Sequence, residues 1–327
     1  MMKTLFLLLS LIFLTNTGKS QELKVVGELN YKFEDTGTYR IFGANKDYLV
    51  WFDYQAGTLF LYNLETNQVF EKKLSQGRGP SEYLQPTSIY INDNSDIYLA
   101  DFPNSKLIVW SMTQKAFLDD IKLKTPPFRI TGAENDIYSF NLSNPDYPID
   151  YLSLETEESV SLTLEGSFFE NSKPNEVLFN RDGSLIYFDN KVVHLSKYRN
   201  ALTFFSKNSK KNTLKITTER IAQKQEIGVK QTELADGSVQ QSLDVSKLLL
   251  SQSFVKHPAE NSLAIVFQDN RDNSMYSSKS IFNYVLADKE LDIENPSRFD
   301  FNIDQIVSNS VQIFAFSKEK GKVYILE

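Results

Sequence analysis

The hydrophobic pattern of this chain repeats. A short apolar segment that closes on a small polar residue occurs six times, as DYLVWFD, DIYLAD, DIYSFN, SLIYFD, LAIVFQ and VQIFAFS. These segments end at Asp53, Asp101, Asn141, Asp189, Gln268 and Ser317, at steps of 48, 40, 48, 79 and 49 residues. A strand repeat of roughly 40 to 50 residues is typical of a β-propeller with one blade per repeat. We therefore predict an all-β fold with six blades.

Each repeated segment fits the second strand of a four-stranded antiparallel blade. In blade two, residues 87–92 alternate between polar and apolar, residues 96–101 are almost entirely apolar, residues 106–111 form a third strand, and the more polar residues 115–123 fit the outermost position. A strand that is covered on both faces is expected to be apolar throughout. The same frame assigns EVLFN, SLIYFD, ALTFFS and TLKITTE to blade four.

The last blade lacks a fourth strand near the C-terminus. The chain reaches Glu327 directly after the third strand of blade six, whereas ELKVVGEL (22–29) precedes blade one without belonging to it. We predict that this N-terminal segment is the outer strand of the last blade and closes the ring. Closure removes the sheet edge that an open array would expose.

The long step of 79 residues predicts an insertion near residues 221–250. Within it, two strand-like segments flank Ala235-Asp236-Gly237, which predicts a hairpin. The following SKLLLSQ (246–252) could form one or two helical turns. A degenerate seventh blade is the alternative, but the apolar second-strand segment is missing there.

The first twenty residues predict an export signal. Lys3 precedes an apolar run over 5–14, and Gly18-Lys19-Ser20 offers small residues for a signal peptidase, with cleavage before Gln21. The alternative, an uncleaved membrane anchor, is less favoured because a span needs about 20 apolar residues. The chain contains no cysteine, so neither disulfides nor a lipid anchor is expected. We predict one exported domain over 21–327, periplasmic or extracellular and without membrane insertion.

The net charge excludes one class of partner. It is −7 at pH 7, and nucleic-acid binding needs clustered Lys and Arg. We therefore expect no nucleic-acid partner.

Residues 77–111 carry a family resemblance. A G-x-G-P-x-E-[FY] loop, a proline and an IY-x-x-D strand follow one another here as Gly77, Gly79, Pro80, Glu82, Tyr83, Pro86 and Asp101. This stretch resembles the six-bladed propellers of the NHL and TolB-like kind, and more closely an exported bacterial family of six-bladed β-propellers. The resemblance implies the fold and leaves the chemistry open. Many relatives carry a lipobox cysteine that this chain lacks.

Candidate ligand-binding residues follow from the blade frame. Loops that lead into inner strands, and those that join second to third strands, gather on one face around the central channel, where propellers bind ligands. The residues placed there are Arg40, Asp53, Arg78, Glu82, Tyr83, Asp101, Arg129, Asp189, Asp269 and Arg271. Three arginines around one mouth would suit a carboxylate, sulfate or phosphate.

A structural interpretation of the same residues stays open. The strand-end acids could cap turns, and the charged residues could form a solvated rim. In the 77–83 loop, the glycines and Pro80 could shape the crossover while Tyr83 packs between blades and Arg78 pairs with a carboxylate.

Metal and nucleophile chemistry have little support in the sequence. His194 and His257 are the two histidines of the chain, too few for the usual zinc ligands. We expect His194 to be packed and His257 to approach the channel. Calcium bound by Asp and Asn oxygens stays open, although residues 268–274 fit a solvated turn better than a calcium loop. No other cofactor is predicted.

Two functions fit these observations. The first is a non-catalytic binding module at the cell envelope for a protein, peptide or glycan. The alternative is an enzyme of the lactonase or lyase type known on related six-bladed propellers, with an oxygen-ligated divalent ion in the channel.

Overall fold

Antiparallel strands arranged in a ring form this structure, which is a computed structural model. It describes residues 22–33, 39–133, 135–141, 148–156, 158–165, 182–208, 213–221, 228–234, 238–244, 249–258, 261–269, 279–285, 290–291 and 296–327. Six blades surround a central channel, and their inner strands lie side by side around it. The predicted six-bladed all-β fold is confirmed. No helix in the described ranges is long and apolar enough to cross a bilayer.

Blades one to three follow the predicted order from the channel outwards. The strands of blade one are Arg40–Ala44, Tyr48–Asp53, Thr58–Asn63 and Val69–Lys73. Those of blade two are Pro86–Ile91, Ile97–Asp101, Lys106–Ser111 and a divided outer strand, Ala116–Phe117 and Ile121–Lys122. Those of blade three are Arg129–Ala133, Asp136–Phe140, Ile149–Ser153 and Ser159–Glu165.

Blade four corrects the predicted register. Its strands are Gly183–Phe188, Lys191–Ser196, Ala201–Asn208 and Thr213–Arg220. The apolar segment SLIYF is therefore the inner strand and not the second, and the segment EVLFN lies outside the described residues. The physical reason is a two-residue turn: Asp189 and Asn190 both have positive φ (49° and 56°), which is the geometry of a tight hairpin. KVVHLS, which follows at once, is apolar enough to fill the second position.

Blade five and the insertion correct a second expectation. The strands of blade five are Leu249–Lys256, Ser262–Asp269, Lys279–Val285 and two short outer pieces, Glu290–Leu291 and Ser297–Arg298. Residues 249–252, which were expected to be helical, belong to the inner strand. The predicted hairpin is present, and Gly228–Glu233 pairs with Val239–Asp244 as a separate two-stranded sheet.

Blade six is closed by the N-terminus, as predicted. Its strands are Gln305–Ser308, Ile313–Ser317, Lys322–Leu326 and the outer Val25–Glu28, which pairs antiparallel with the third. Backbone hydrogen bonds extend this pairing between Lys24 and Glu327 in both directions, at 2.8 and 3.1 Å. Glu28 adds an ion pair to Lys322 at 2.7 Å.

The hydrophobic core lies between the blades. In the described residues it divides into six clusters, and each fills the space between two neighbouring blades. Both tryptophans belong to it, Trp51 with 1% and Trp110 with 5% of their surface exposed, as predicted. Every blade therefore depends on both of its neighbours for burial of its apolar faces.

The interface between blades three and four also contains a strand pairing. The outer strand of blade three, Ser159–Glu165, pairs in parallel with Thr213–Arg220 of blade four, with Thr163 opposite Thr213. The two blades thus share one eight-stranded sheet. The sequence pattern contained no signal for this pairing.

Deleting residues 22–30 should abolish cooperative unfolding, because it removes the outer strand of blade six and the buried side chains of Leu23 and Leu29. Thermal melting followed by circular dichroism would measure this. Val26→Thr is the control, since that side chain is 54% exposed and the backbone pairing stays intact. An unchanged melting transition in the deletion variant would contradict closure by this strand.

Candidate ligand-binding site

The central channel opens on the face where the inner strands begin, which we call the near face. The channel has a volume of about 480 Å³ and is surrounded by residues of all six inner strands. The side chains that ring its near mouth are Tyr39, Arg129, Asp182, Lys197, Gln252 and Asp304. Of these six residues, only Arg129 was a predicted site residue.

Arg129 is held by backbone oxygens from three blades. Its Nε donates to Gly183 O at 3.0 Å, and its Nη1 donates to Thr87 O at 3.1 Å and to Phe128 O at 3.0 Å. Burial lowers the pKa of Arg129 from its usual value, while nearby Tyr39 and Asp182 act in the opposite direction. The guanidinium therefore fixes three blades relative to one another and carries a positive charge at the mouth.

Asp182 and Lys197 complete a charged group beside Arg129. Asp182 lies 3.6 Å from Lys197 Nζ and 3.9 Å from Arg129 Nη2, with about a third of its side chain exposed. Two cations thus share one carboxylate. Sequence reasoning missed Asp182 because the wrong register of blade four placed it in the turn between the first and second strands. Lys197 was not singled out, although the same register left it between the second and third strands.

The opposite side of the mouth is acidic and polar. Asp304 precedes the inner strand of blade six, and its Oδ2 accepts from Lys318 N at 2.7 Å. Gln252 donates to Gln268 Oε1 at 2.7 Å. Tyr39 is 57% exposed at the rim. The mouth therefore presents both signs of charge, amide groups and an accessible aromatic ring.

The 77–83 loop lies on the near face but does not line the channel. Lys106 Nζ donates to Gly79 O at 2.7 Å and forms an ion pair with Asp120 at 2.6 Å. Asp120 in turn accepts from Ser81 N at 3.1 Å. Both side chains of the pair are buried, so the loop is fastened to the outer part of blade two.

The individual side chains of this loop support its shape. Glu82 Oε2 accepts from Gly79 N at 2.7 Å, folding back onto its own loop. Tyr83 is buried against Phe52, with ring centroids 5.0 Å apart, and burial raises its pKa. Arg78 is exposed, and no ion pair joins it to another described residue. Packing of Tyr83 between blades, the structural alternative, is what the structure shows.

The acidic residues at the strand ends mainly accept hydrogen bonds from backbone N–H groups of nearby loops. Asp53 Oδ1 accepts from Ala56 N at 2.9 Å. Asp101 is fully buried and accepts from Leu84 N and Gln85 N at 3.0 and 2.9 Å. Each carboxylate thereby satisfies backbone donors that a loop would leave unpaired.

The remaining predicted site residues do not meet at the channel. Asp189 is in the tight turn of blade four, on the opposite, far face, which corrects its predicted position. Asp269 ends the second strand of blade five, and Arg271 lies outside the described residues. Arg40 lines a separate pocket and forms an ion pair with Asp53 at 2.9 Å. Arg40 and Arg129 therefore do not share one mouth.

Both histidines are buried away from the channel. His194 is fully buried and stacks on Phe140 at 4.6 Å. His257 is buried in the turn after the inner strand of blade five, at the far face, and is not among the channel residues. Within the described ranges, no three His, Asp or Glu side chains lie close enough to hold a metal.

Tyrosines line the far end of the channel and the adjoining blade interfaces. Tyr90 and Tyr98 stack at 6.1 Å, and Tyr138 stacks on Tyr187 at 5.5 Å. Burial, followed by the charge of Asp96, raises the pKa of Tyr98 to about 12. Tyr90 and Tyr187, which line the channel, are thus packed against rings of the second strands at its far end.

These features define a six-bladed β-propeller. The chain belongs to the family described as 6-bladed beta-propeller, whose model matches residues 32–283. The predicted resemblance is thereby confirmed. A sequence comparison with curated proteins gave no match.

Several solved structures share the fold. A putative exported protein from Bacteroides fragilis is 10% identical, with a TM-score of 0.56 and coverage of 96% of this chain and 97% of that one. An auxiliary nutrient binding protein from Bacteroides ovatus is 11% identical, with a TM-score of 0.57 and coverage of 93% and 72%. A virginiamycin B lyase from Staphylococcus aureus is 11% identical, with a TM-score of 0.51 and coverage of 93% and 99%. Such low identities show the fold alone.

Gly77→Ala and Glu82→Ala should be non-additive. A Cβ at Gly77 would overlap Glu82 Oε2, so the carboxylate would swing away and lose its bond to Gly79 N. Each variant should lose about 1 kcal/mol in urea unfolding, and the double variant no more than either one. Gly27→Ala is the control, because its Cβ would meet Ile325 at an ordinary 3.7 Å. Additive losses would show that Glu82 does not support this loop.

The raised pKa of Tyr98 predicts alkaline destabilisation. An unfolded tyrosine ionises near pH 10, whereas folded Tyr98 holds its proton to about pH 12. Unfolding therefore releases a proton between these values, and stability falls as pH rises through that window. Tyr98→Phe should make the fall shallower, by about 1 to 2 kcal/mol at pH 11.5 relative to pH 8. Urea unfolding of both proteins measures this, and parallel curves would contradict it.

Proposed function

We propose that this protein is a non-catalytic binding module that takes a polar segment of a protein or peptide at the near mouth of its channel. The observation that carries the proposal is the mixed charge of that mouth, with Arg129, Lys197 and Asp182 on one side and Asp304 on the other. A peptide chain offers amides and both signs of charge, which such a surface complements.

The degree of exposure supports binding over a purely structural role. Arg129 is committed to backbone oxygens, but Lys197 keeps 30% of its side chain exposed and Tyr39 keeps 57% of its surface exposed. An exposed aromatic ring beside partly exposed charges is a common anchor in recognition surfaces. The inner strands beneath provide a rigid frame for these groups.

Export to the periplasm or the cell exterior is part of the proposal. The predicted signal at residues 1–20 supports it, as do two proteins that share this fold, the putative exported protein and the auxiliary nutrient binding protein. A glycan partner at the same mouth is the competing outcome of the experiment below.

Binding should depend on Tyr39 and Lys197. Purified residues 21–327 would be screened on a synthetic peptide array and on a glycan array, and the affinities of hits measured by calorimetry. The double variant Tyr39→Ser/Lys197→Gln should weaken peptide hits by about tenfold or more. Lys191→Gln is the matched control, because that lysine lies in the same blade next to the far-face turn and is similarly exposed.

The other outcomes are equally informative. Peptide affinities that are indifferent to the double variant would contradict the assigned mouth, and hits confined to glycans would replace the peptide by a sugar. Binding or turnover that requires added Ca²⁺ would favour the metal-dependent enzyme instead.

A further inference from the structure

A second pocket lies away from the channel, between the N-terminal segment and blade one. It has a volume of about 330 Å³. Four aromatic side chains form its walls, namely Tyr31, Phe33, Trp51 and Phe60. None of its lining residues lines the channel, so it is a separate site.

The four aromatic rings of the pocket contact one another. Trp51 and Phe60 stack with centroids 5.1 Å apart and planes at 8°. Tyr31 and Phe33 approach Trp51 at tilted angles, with centroids at 4.9 and 5.2 Å. Trp51 and Phe33 are buried in this cluster, so the rings that a ligand can contact are the partly exposed Tyr31 and Phe60, which favour an apolar ring.

Arg40 also lines the pocket, and two of its hydrogen-bond donors have no acceptor among the described residues. Arg40 is 8% exposed, and its Nη2 is paired with Asp53 at 2.9 Å. Its Nε and Nη1 are buried and have no hydrogen-bond partner among the described residues. A buried donor without an acceptor costs free energy, and native proteins rarely leave one unsatisfied. A bound acceptor would remove that cost.

The charges around Arg40 indicate what kind of acceptor fits. Asp53 neutralises one positive charge, and its other oxygen already accepts from Ala56 N. Lys32 also lines the pocket and is exposed. The lining residues therefore sum to one positive charge, which a single carboxylate balances.

We propose that this pocket binds a small organic acid, with its apolar ring against the partly exposed Tyr31 and Phe60 and its carboxylate directed to Arg40 and Lys32. The volume is at the lower end of small-molecule sites, which restricts the ligand to about one ring with a short acidic side chain. This site is independent of the peptide-binding role proposed for the channel.

Phenylacetate is a suitable probe, with phenylacetamide as its neutral counterpart and acetate as its counterpart without a ring. Trp51 forms a wall of the pocket, so a Trp110→Phe background leaves it as the single tryptophan emitter. Titration of phenylacetate should change its fluorescence with a Kd on the order of 1 mM or tighter, and phenylacetamide and acetate should bind about tenfold more weakly.

Two variants assign the polar contacts. Lys32→Gln changes an exposed side chain, so it should leave folding intact and weaken phenylacetate about threefold. Arg40→Lys should weaken it about tenfold or more, because an ammonium does not reproduce the guanidinium donors. Lys24→Gln is the control, since it removes an exposed lysine from the same segment outside the pocket and should leave the affinity unchanged.

The proposal is overturned by any of three results. These are equal affinity for phenylacetate and phenylacetamide, unchanged affinity in Lys32→Gln, and no fluorescence change at about 10 mM phenylacetate. The channel variants Tyr39→Ser and Lys197→Gln should leave phenylacetate binding intact, so failure at one site is distinguishable from failure at the other.

Discussion

The pairing of the N-terminal strand Val25–Glu28 with Lys322–Leu326 is the constraint on which the rest of the structure depends. It joins the two ends of the chain and brings blade six against blade one, so that Phe42 and Phe316 share a cluster with ring centroids 4.8 Å apart. It also positions Tyr31 and Phe33 directly after the closing strand, where they cover Trp51. The lateral pocket is therefore a product of ring closure, because the closing segment supplies one side of its wall.

The free edges of the inner strands explain the polar residues around the channel. Each inner strand has one edge without a strand partner, and its backbone groups need other hydrogen bonds. Ser88 exchanges bonds with Ile130, Ser184 donates to Gln252 O, and Ser253 exchanges bonds with Ile306. Arg129 connects three blades in the same way. Polarity inside the channel thus serves the fold first, and the groups left for a ligand are those at the near mouth.

Much of the fold was predictable from the sequence, because strand periodicity reports burial directly. Closure of the ring and the inserted hairpin followed from the same count. The predicted register of blade four was wrong because SLIYF and KVVHLS are both apolar enough for the second strand. Only the tight turn at Asp189 and Asn190 determines that SLIYF is the inner strand. The site was less predictable. Asp182 was misplaced by that register, and the open donors of Arg40 depend on which side chains surround it, which spacing along a chain does not encode.

The pairing between blades three and four affects which outer strands of the ring have a free edge. An outer strand with a free edge is a template onto which a strand of another molecule can add. Residues 163–165 and 213–215 pair with each other, so these two short edge segments are closed to strand addition. The outer strand of blade one, Val69–Lys73, is instead protected by charge, because Glu71, Lys72 and Lys73 follow one another along it. Strand addition between copies would therefore have to use an edge other than these two segments.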